Sequence, residues 1–441
     1  MFDVIVAGGG PAGLAVASAL SGRGHSVAVL ERTSYERPRP GETLDAETFP
    51  LLQALGAWGS LAAFVDNQVP HRAVRAAWGT DELEDKPSIL HPLGEGRHVQ
   101  RARFDETLAT WAESAGVLVR KNAGRCVVTR RGEAFHVTAA RGNDLESPYF
   151  VDASGRGAPA SAKLRGRRWL GFDREVAIVA VAEPRGDPGF DLLLEASQQG
   201  WWYSVPQPDG TLIAALVTDG DLLLTGDRKA LAATFVEALS KTIHTAARCE
   251  GLANHCPIRV VRADSGLLLP DAGVGWCAIG DAAMSTDPLA GNGVARALRS
   301  AIDAAARIDA HLRGTAPPDA TPLLRSFADY LDRRASYYEL ETRWPDSPFW
   351  ARRRPGAWRQ IPINLPPTAM LRRDGKPSRE ALAPVEALVP PRVIASTLVE
   401  VRAATPAHAI LSRLREAAPI GDRRLLVALQ MLVGAGALAV V

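Results

Sequence analysis

Short apolar runs alternate with stretches of helical spacing along the first part of the chain. Residues 2–7 form one apolar run, a glycine cluster follows, residues 14–20 are small and apolar, and VAVL at residues 27–30 forms a second run. Runs of this length that flank a helix are typical of buried strands in a parallel sheet. The chain is therefore expected to open with a strand, a helix and a second strand.

Later segments continue this α/β pattern and then change character. Helical spacing recurs at residues 44–55 and 104–115, and strand patterns recur at 135–138 and 149–151. From about residue 169 to residue 262, strand-like runs instead predict an inserted antiparallel sheet. Its strands are expected at residues 176–182, 201–206 and 212–217, the last two joined by a Pro-Asp-Gly turn at 208–210.

A buried strand at residues 276–279 and a long alanine-rich helix from about residue 293 to 312 restore the α/β pattern. One α/β domain that is interrupted by the antiparallel sheet accounts for this order. Beyond it the sequence predicts a strong helix at residues 323–341, which is followed by a proline-rich stretch at 344–391.

The end of the chain carries two short helical patterns, at residues 407–415 and 423–433. Their order of helix, loop, helix and apolar end resembles a winged-helix module, and the alternative is a helical cap packed on the α/β domain. The apolar tail at residues 425–441 has 17 residues. Because a spanning helix needs ~20 apolar residues, no membrane span is expected.

Composition and charge narrow the class of protein. The 441 residues are 46% hydrophobic and 23% charged with a net charge of +2, which is typical of a globular protein of two or three domains and gives no reason to expect nucleic acid. The charge is uneven, since residues 331–441 carry 17 basic and 10 acidic side chains. Four scattered cysteines indicate neither a disulfide framework nor a metal site. With no secretory signal pattern at the start, a cytoplasmic protein is expected.

The first chemical motif lies in the turn between the first strand and the first helix. Gly8, Gly10 and Gly13 fit the pattern G-x-G-x-x-G. In this position backbone N–H groups and the helix N-terminus face a pyrophosphate. Glu31 ends the second strand, 18 residues after Gly13, where a carboxylate accepts hydrogen bonds from ribose hydroxyls. Together these features predict a dinucleotide site.

A second motif follows the strand at residues 276–279. Gly280-Asp281 comes directly after this strand, and the loop DPLAGNG at residues 287–293 leads into the long helix. The glycine turn, the distant Gly-Asp and this loop together resemble the FAD-dependent monooxygenases of the aromatic-hydroxylase type, with the flavin-dependent halogenases and the geranylgeranyl reductases. The resemblance implies an α/β fold with a doubly wound, Rossmann-like FAD-binding domain.

The resemblance also assigns cofactor contacts. It implies that Asp281 binds the ribityl or pyrophosphate part of FAD and that the amides of residues 291–293 face the N1–C2=O edge of the flavin, where a helix N-terminus stabilises negative charge. The Gly41-Glu42 segment would lie along the flavin, and Arg101 would approach the cofactor or form a solvated helix end. The predicted cofactor residues are Gly8, Gly10, Pro11, Ala12, Gly13, Glu31, Arg32, Thr43, Leu44, Arg101, Asp281, Pro288, Gly291, Asn292 and Gly293.

The strand at residues 201–206 carries the predicted substrate contacts. Its sequence resembles, without matching, the halogenase W-x-W-x-I-P and the prenyl-reductase Y-x-W-x-F-P signatures. Trp201 and Tyr203 share one face of this strand and are predicted to bind substrate, with aromatic packing between sheets as the alternative. Halogenases also need a lysine near the flavin. The comparable stretch at residues 71–79 has none, and Lys86 lies just beyond it in a charged, solvated stretch.

An aromatic and arginine-rich run at residues 337–353 carries a further resemblance, to one subgroup of these flavoproteins, and this resemblance rests on few residues. The run is similar to the flavoproteins that hydroxylate a tryptophan of a partner protein during tryptophylquinone biogenesis, and an inter-domain seam is the alternative. The resemblance implies that reduced FAD reacts with O2 to form a C4a-hydroperoxide, with electrons from NAD(P)H or a separate flavin reductase. No catalytic base is identified.

The predicted function is therefore hydroxylation of a tryptophan side chain in a partner protein or peptide, which would dock near the basic C-terminal segment. Halogenation, prenyl reduction and a non-catalytic flavin-binding role remain alternatives. The predicted domains are the first part of the FAD-binding domain at 1–168, with part of the substrate-side sheet near 65–100; the antiparallel substrate domain at 169–262; the last part of the FAD-binding domain at 263–343; and a mainly helical, basic extension at 344–441.

Overall fold

A computed structural model describes most of the chain. The described residues are 2–164, 168–223, 228–252, 258–318, 323–354, 369–375, 382, 385–386, 388–401, 403–417, 420, 422–434 and 437–441. Cys256 and residues 355–368 of the proline-rich stretch lie outside the described residues. Strands and helices are numbered in chain order.

A six-stranded, mainly parallel sheet forms the centre of the first domain. In spatial order its strands are β21 (Ala272–Gly273), β22 (Trp276–Ala278), β12 (Tyr149–Asp152), β1 (Val4–Ala7), β2 (Val27–Leu30) and β8 (Leu118–Arg120). Strand β1 pairs in parallel with both β2 and β12, and only β21 among these strands is antiparallel to its neighbour. All residues of β1 and β2 are buried, as the apolar runs predict.

The two faces of this sheet are covered differently. Helices α1 (Pro11–Ser21), α4 (Arg101–Ser114) and α7 (Gly293–Leu312) pack on one face, where they form a common apolar core with Val4 and Val6. The other face, with Ile5 and Phe150, packs against the small antiparallel sheet of β9 (Cys126–Arg131), β10 (Ala134–Ala139) and β11 (Leu145–Ser147). The predicted α/β fold class is confirmed, with a small sheet instead of helices on the second face.

The middle of the chain forms the predicted antiparallel sheet. In spatial order its strands are β18 (Cys249–Leu252), β14 (Glu175–Pro184), β17 (Leu212–Asp219), β16 (Gly200–Pro206), β15 (Asp191–Ser197), β5 (Ala73–Ala77) and β6 (Glu84–Pro87), and β19 (Arg259–Arg262) also pairs with β14. The predicted strands β14, β16 and β17 are confirmed. Strand β15 was not predicted and pairs in parallel with β5. At the outer edge, all four residues of β6 are exposed.

Shorter elements connect these layers. The remaining strands are β3 (Thr43–Leu44), β4 (Val69–His71), β7 (Gly96–His98), β13 (Arg168–Gly171), β20 (Gly266–Leu269), β23 (Met284–Ser285), β24 (Met370–Arg373), β25 (Thr405–Pro406) and β26 (Leu438–Val440). The remaining helices are α2 (Thr48–Ala54), α3 (Trp58–Asp66), α5 (Arg228–Ser240), α6 (His244–Arg248), α8 (Leu323–Glu339), α9 (Pro348–Ala351), α10 (Pro391–Glu400), α11 (Ala407–Ala417) and α12 (Asp422–Gly434).

The C-terminal helices pack on α8. Their apolar side chains form one core with Phe327 and Leu331 of α8. Arg424 of α12 adds ion pairs to Asp329 and Asp332 of α8. The predicted helices α11 and α12 are confirmed, whereas α10 was not predicted. Within the described residues, no helix combines the length and the apolar character that crossing a bilayer requires.

A buried histidine holds the segment that precedes α2. His98 of β7 is fully buried, its Nδ1 accepts a hydrogen bond from the Thr43 hydroxyl at 2.9 Å, and its Nε2 donates to the Phe190 carbonyl at 3.1 Å. This pairing fits the neutral ring. Burial, together with the charge of nearby His71, lowers the pKa of His98 from 6.5 to about 3. Protonation of His98 is therefore disfavoured in the folded protein.

We expect the protein to lose stability below pH 6.5 through His98. Between pH 6.5 and about 3 the unfolded chain binds a proton that the folded chain does not, so the free energy of unfolding falls by about 1.4 kcal/mol per pH unit as the pH is lowered. Denaturant unfolding measured from pH 7 to pH 5 should show a shallower pH dependence in His98→Gln. His91→Gln, at an exposed site, serves as the control. Equal slopes for the wild type and His98→Gln would contradict this assignment.

Candidate active site

The glycine turn lies between β1 and α1 and is tightly packed on two sides. A Cβ at Gly8 would lie 2.2 Å from the Ala153 carbonyl oxygen, and a Cβ at Gly13 would lie 1.9 Å from the Gly8 carbonyl oxygen. A Cβ at Gly10 would meet nothing within 4 Å. Gly8 and Gly13 are therefore required by the backbone packing, whereas Gly10 borders open space.

The N-terminus of α1 faces this open space without a side-chain cap. Gly10 is the N-cap residue, Pro11 occupies the first turn, and the first turn holds no acidic residue. The first backbone N–H groups of a helix have no partner within the helix, and together with the helix dipole they attract an anion. The turn at residues 8–13 therefore has the donors that a phosphate group requires.

Glu31 lies beside the glycine turn at the end of β2. Its Oε2 accepts a hydrogen bond from the Gly9 amide at 2.8 Å, and its Oε1 accepts from Arg39 Nη2 at 2.7 Å and from the Thr33 hydroxyl at 2.7 Å. The side chain is buried and held in place by these contacts. Arg32, the next predicted residue, is exposed.

Asp281 is brought to the same turn by the packing of its neighbour. A Cβ at Gly280 would lie 2.9 Å from the Ala12 Cβ, so this glycine allows close contact between the two segments. Arg296 of α7 donates to Asp281 Oδ1 at 2.7 Å, and Arg156 Nε lies 3.5 Å from Asp281 Oδ2. The predicted residues of the glycine turn and Asp281 thus lie together.

The loop at residues 287–293 enters α7 through a short helical turn. Asp287 Oδ1 accepts a hydrogen bond from the Leu289 amide at 2.9 Å, and Gly291 has a φ of +67°, which favours glycine. Asn292 is the N-cap of α7 and makes no side-chain cap. The loop therefore presents the uncapped amides of a 20-residue helix.

The segment around Glu42 joins the first domain to the antiparallel sheet. Arg101 Nη1 donates to the Pro40 carbonyl at 2.9 Å and lies where a Cβ of Gly41 would be, at 2.3 Å. Glu42 is 6% exposed, and the hydroxyl of Tyr203 on β16 donates to its Oε2 at 3.5 Å. Burial raises the pKa of the Glu42 carboxyl. Thr43 contacts His98, as described above, and Leu44 is buried.

A cluster of buried charges lies between this sheet, α8 and the loop at residues 287–293. This buried ion cluster comprises Asp173, Glu175, Asp219, Asp287, Arg334 and Arg353. Arg334 contacts Glu175 and Asp287, and Arg353 contacts Glu175 and Asp219. Burial, opposed by Arg334 and reinforced by the charge of Asp287, raises the pKa of Glu175 to about 8. Although burial alone would raise it, Arg334 holds the pKa of Asp287 below its usual range.

The two tryptophans of β16 are both in the core. Trp201 is 1% exposed, and its Nε1 donates to the Tyr338 hydroxyl at 2.9 Å. Trp202, on the opposite face, packs against Phe235 at 5.0 Å between ring centroids. Tyr203 is half-buried and faces Glu42. Of the two predicted substrate residues, Tyr203 is thus the more accessible one.

The aromatic and arginine-rich run at residues 344–353 packs inside the molecule. Trp350 is 1% exposed and donates to the Ser197 carbonyl at 2.7 Å, and Trp344 stacks on it at 6.0 Å. Arg352 and Arg353 form ion pairs with Asp219. These contacts describe an inter-domain seam, which is the alternative that the sequence left open for this run.

The comparisons with known proteins agree with this geometry. Residues 1–219 match the family model described as an FAD-binding domain. The putative FAD-dependent oxidoreductase LodB of Marinomonas mediterranea is 27% identical over 362 residues, which cover 80% of this chain and 96% of LodB. The protein is a flavin-dependent enzyme.

Two solved structures share the fold of this flavin-dependent enzyme. The flavin-dependent halogenase CmlS superposes with a TM-score of 0.70 and 26% identity, over 94% of this chain and 76% of CmlS. The peptidyl tryptophan dihydroxylase QhpG, essential for tryptophylquinone cofactor biogenesis, superposes with a TM-score of 0.66 and 21% identity, over 99% of each chain. The flavin-dependent enzyme is therefore similar in structure to both halogenases and a hydroxylase.

The residues of the glycine turn fit an FAD cofactor. The open space at Gly10 and the uncapped N-terminus of α1 suit a pyrophosphate, and the Glu31 carboxylate, the type of acceptor that ribose hydroxyls would need, lies beside them. The loop at residues 287–293 ends at the uncapped amides of α7, which are donors of the kind that the flavin edge would need. The space in front of Gly10, where a side chain would begin, is therefore available to the cofactor.

The sequence did not reveal every residue that shapes the site. Arg39, Arg334 and Tyr338 were not predicted, although each is buried or half-buried in contacts with a site segment. A signal was present for two of them, because Tyr330, Arg334 and Tyr338 recur every four residues on the face of α8 that also carries Phe327. Polar residues at core positions of a helix indicate buried partners.

We expect Gly10→Ala to fold normally and to bind FAD at least about tenfold more weakly, or by about 1.4 kcal/mol. The added methyl group meets no protein atom, and the backbone of Gly10, with a φ of −88°, suits any residue, but the methyl group points into the space assigned to the pyrophosphate. Thermal unfolding of the apoprotein and titration with FAD measure the two effects. Gly59→Ala, also in open space but on α3, is the control. Unchanged FAD affinity in Gly10→Ala would place the cofactor elsewhere.

Proposed function

We propose that this protein is an FAD-dependent monooxygenase that hydroxylates an electron-rich aromatic ring, namely a tryptophan side chain of a partner protein or peptide. The composition of β5 and β6 favours hydroxylation over halogenation. Residues 71–79 contain no lysine, and Lys86 lies on the exposed edge strand β6. The likeness to the peptidyl tryptophan dihydroxylase QhpG over 99% of both chains supports the choice of tryptophan.

The proposed reaction divides between the cofactor and the protein. Reduced FAD, when bound, supplies the activation of O2, with electrons from NAD(P)H or a separate flavin reductase. One oxygen atom of O2 enters the ring as a hydroxyl group in place of the ring hydrogen, and the other leaves as water. The reductant supplies two electrons, and the reductant and solvent supply the two protons that the products require. The protein holds the ring in place, excludes water and accepts the proton that leaves the ring carbon.

Glu42 is the residue that we propose as proton acceptor. It is buried, it lies on the segment assigned to the flavin, and its Oε2 faces the Tyr203 hydroxyl on the substrate sheet. Because burial raises its pKa, the carboxylate is a stronger base than an exposed glutamate. In this proposal the Tyr203 hydroxyl orients Oε2. The buried Trp201 packs beside Tyr203 on the same face of β16 and would exclude water from the contact between Tyr203 and Glu42.

We also propose that the substrate tryptophan belongs to a partner with an acidic surface. Residues 331–441 carry more basic than acidic side chains, which favours such a partner. The seam arginines Arg352 and Arg353 are paired within the chain, so docking would use other residues. Arg372 and Arg373 on β24 are exposed and are the proposed contacts.

The proposed reaction is tested with the FAD-loaded protein, reduced with dithionite without oxygen and then mixed with isotopically labelled O2. Tryptophan-containing peptides are the probes, and the same peptides with phenylalanine in place of tryptophan are the controls. We expect labelled oxygen in the tryptophan peptides, detected by mass spectrometry. With chloride or bromide added, incorporation of halogen in place of oxygen would identify a halogenase. Saturation of a prenyl double bond without O2 would identify a reductase.

Glu42→Gln should remove the acidic limb of the pH dependence of turnover. In the wild type, turnover falls on the acid side as Glu42 becomes protonated, at a pH above the usual range of a glutamate because its pKa is raised. In Glu42→Gln, turnover is expected to be at least about a hundredfold lower, the usual contribution of a general base. Glu36→Gln, on an exposed position before the same segment, is the control. Wild-type turnover and pH dependence in Glu42→Gln would exclude Glu42 as the base.

A further inference from the structure

One tyrosine hydroxyl connects the antiparallel sheet to the loop at residues 287–293. Tyr338 of α8 is 2% exposed, and its hydroxyl donates to Asp287 Oδ2 at 2.6 Å. The same hydroxyl accepts a hydrogen bond from Trp201 Nε1 of β16 at 2.9 Å. Trp201 is therefore linked to the loop through one O–H group, which uses its proton toward Asp287 and a lone pair toward Trp201. The same hydroxyl lies 3.3 Å from Glu175 Oε1 on β14, and Arg334 forms a second bridge between Glu175 and Asp287.

The loop is held at its first residue by one face of α8. Besides Tyr338, Arg334 Nε donates to Asp287 Oδ2 at 2.8 Å, and the Asp287 amide donates to the Tyr330 hydroxyl at 2.7 Å. Tyr330, Arg334 and Tyr338 are spaced by four residues, so they lie in one row along the helix. Asp287 in turn caps the helical turn that leads to Gly291. The position of the loop amides thus depends on this row.

The other end of the connection lies in the wall of the proposed substrate site. Trp201 shares a strand face with Tyr203, and their ring centroids are 6.1 Å apart. Tyr203 in turn faces Glu42. Any displacement of the Trp201 indole changes the geometry of a hydrogen bond to Tyr338, and Tyr338 shares Asp287 with the loop.

We infer that Tyr338 is a positioning residue that couples the substrate face of β16 to the loop at residues 287–293, and through it to the bound flavin. The inference rests on the proposed flavin contact of this loop. Tyr338 is assigned no contact with the flavin or the substrate ring, and we propose that it acts through its shorter hydrogen bonds to Asp287 and Trp201, with Glu175 as a third, more distant partner. Loss of its hydroxyl leaves one buried donor, Trp201 Nε1, without its partner and removes one donor from Asp287.

The test measures FAD affinity and the flavin reduction potential, which require neither substrate nor turnover. Tyr338→Phe keeps the aromatic ring and removes the hydroxyl. We expect FAD to bind about tenfold more weakly and the potential to shift, because the amides at the flavin edge are no longer fixed. Tyr337→Phe, the 56% exposed neighbour on the same helix, should leave both quantities unchanged.

A double-mutant cycle distinguishes coupling from general loosening of the core. Trp201→Phe removes the Nε1 donor from a strand distant from the loop in sequence. We expect it to shift the flavin potential in the wild-type background and to cause no further shift in Tyr338→Phe. Additive shifts, or an unchanged potential in the folded Trp201→Phe variant, would overturn the inference. If Tyr338→Phe does not fold, the flavin potential of Trp201→Phe decides: a shift supports the inference, and an unchanged potential overturns it.

The cycle also separates this inference from the proposed function. If the protein hydroxylates tryptophan peptides but the cycle shows additive effects, only the coupling is wrong. If the cycle shows coupling but the peptides gain no oxygen, only the assigned reaction is wrong. Unchanged FAD affinity in both Gly10→Ala and Tyr338→Phe would overturn the inference together with the cofactor placement on which it rests.

Discussion

The burial of two guanidinium groups is the constraint on which the packing of this chain depends. An arginine removed from water is tolerated only where carboxylates and further hydrogen bonds replace its hydration. Arg334 and Arg353 find carboxylates on Glu175 of the antiparallel sheet, on Asp219 at the end of β17 and on Asp287 of the loop before α7. Because these groups come from separate parts of the sequence, each part buries its charge only when the others are in place.

The elements that the sequence predicts well are those whose pattern is local. Strand β2 is four apolar residues between polar ones, and α7 repeats small apolar residues at helical spacing, so both were predicted with the observed bounds. Strand β15 mixes Asp191 and Glu195 with leucines, so its apolar pattern is weak. It pairs with β16, which follows it in the sequence, and with β5, far away in the sequence. The pairing with β5 leaves no local signal. Strand β6 has four polar or proline residues and leaves none either.

The same distinction applies to the candidate site. The glycine turn was predictable because a side chain at Gly8 would clash with the backbone at Ala153, and one at Gly13 would clash with the backbone of Gly8 in the same turn. This requirement appears in the sequence as a fixed spacing of glycines. The role of Tyr338 was not predictable, because it depends on Asp287 and Trp201 meeting at one hydroxyl. For Trp201, the sequence allowed either substrate contact or packing. Its burial and its satisfied Nε1 show how it packs, and its neighbour Tyr203 is the side chain that reaches the junction with the first domain.

The exposed strand β6 has a consequence for the behaviour of the protein at high concentration. An open sheet edge offers unpaired backbone groups to any extended chain, including another molecule of the same protein. Here the outermost strand carries Glu84, Asp85 and Lys86 and ends at Pro87, which has no N–H to donate. A second molecule that paired through its own β6 would bring the charged side chains of the two strands next to each other. The four residues of β6 thus protect this edge of the antiparallel sheet from edge-to-edge aggregation.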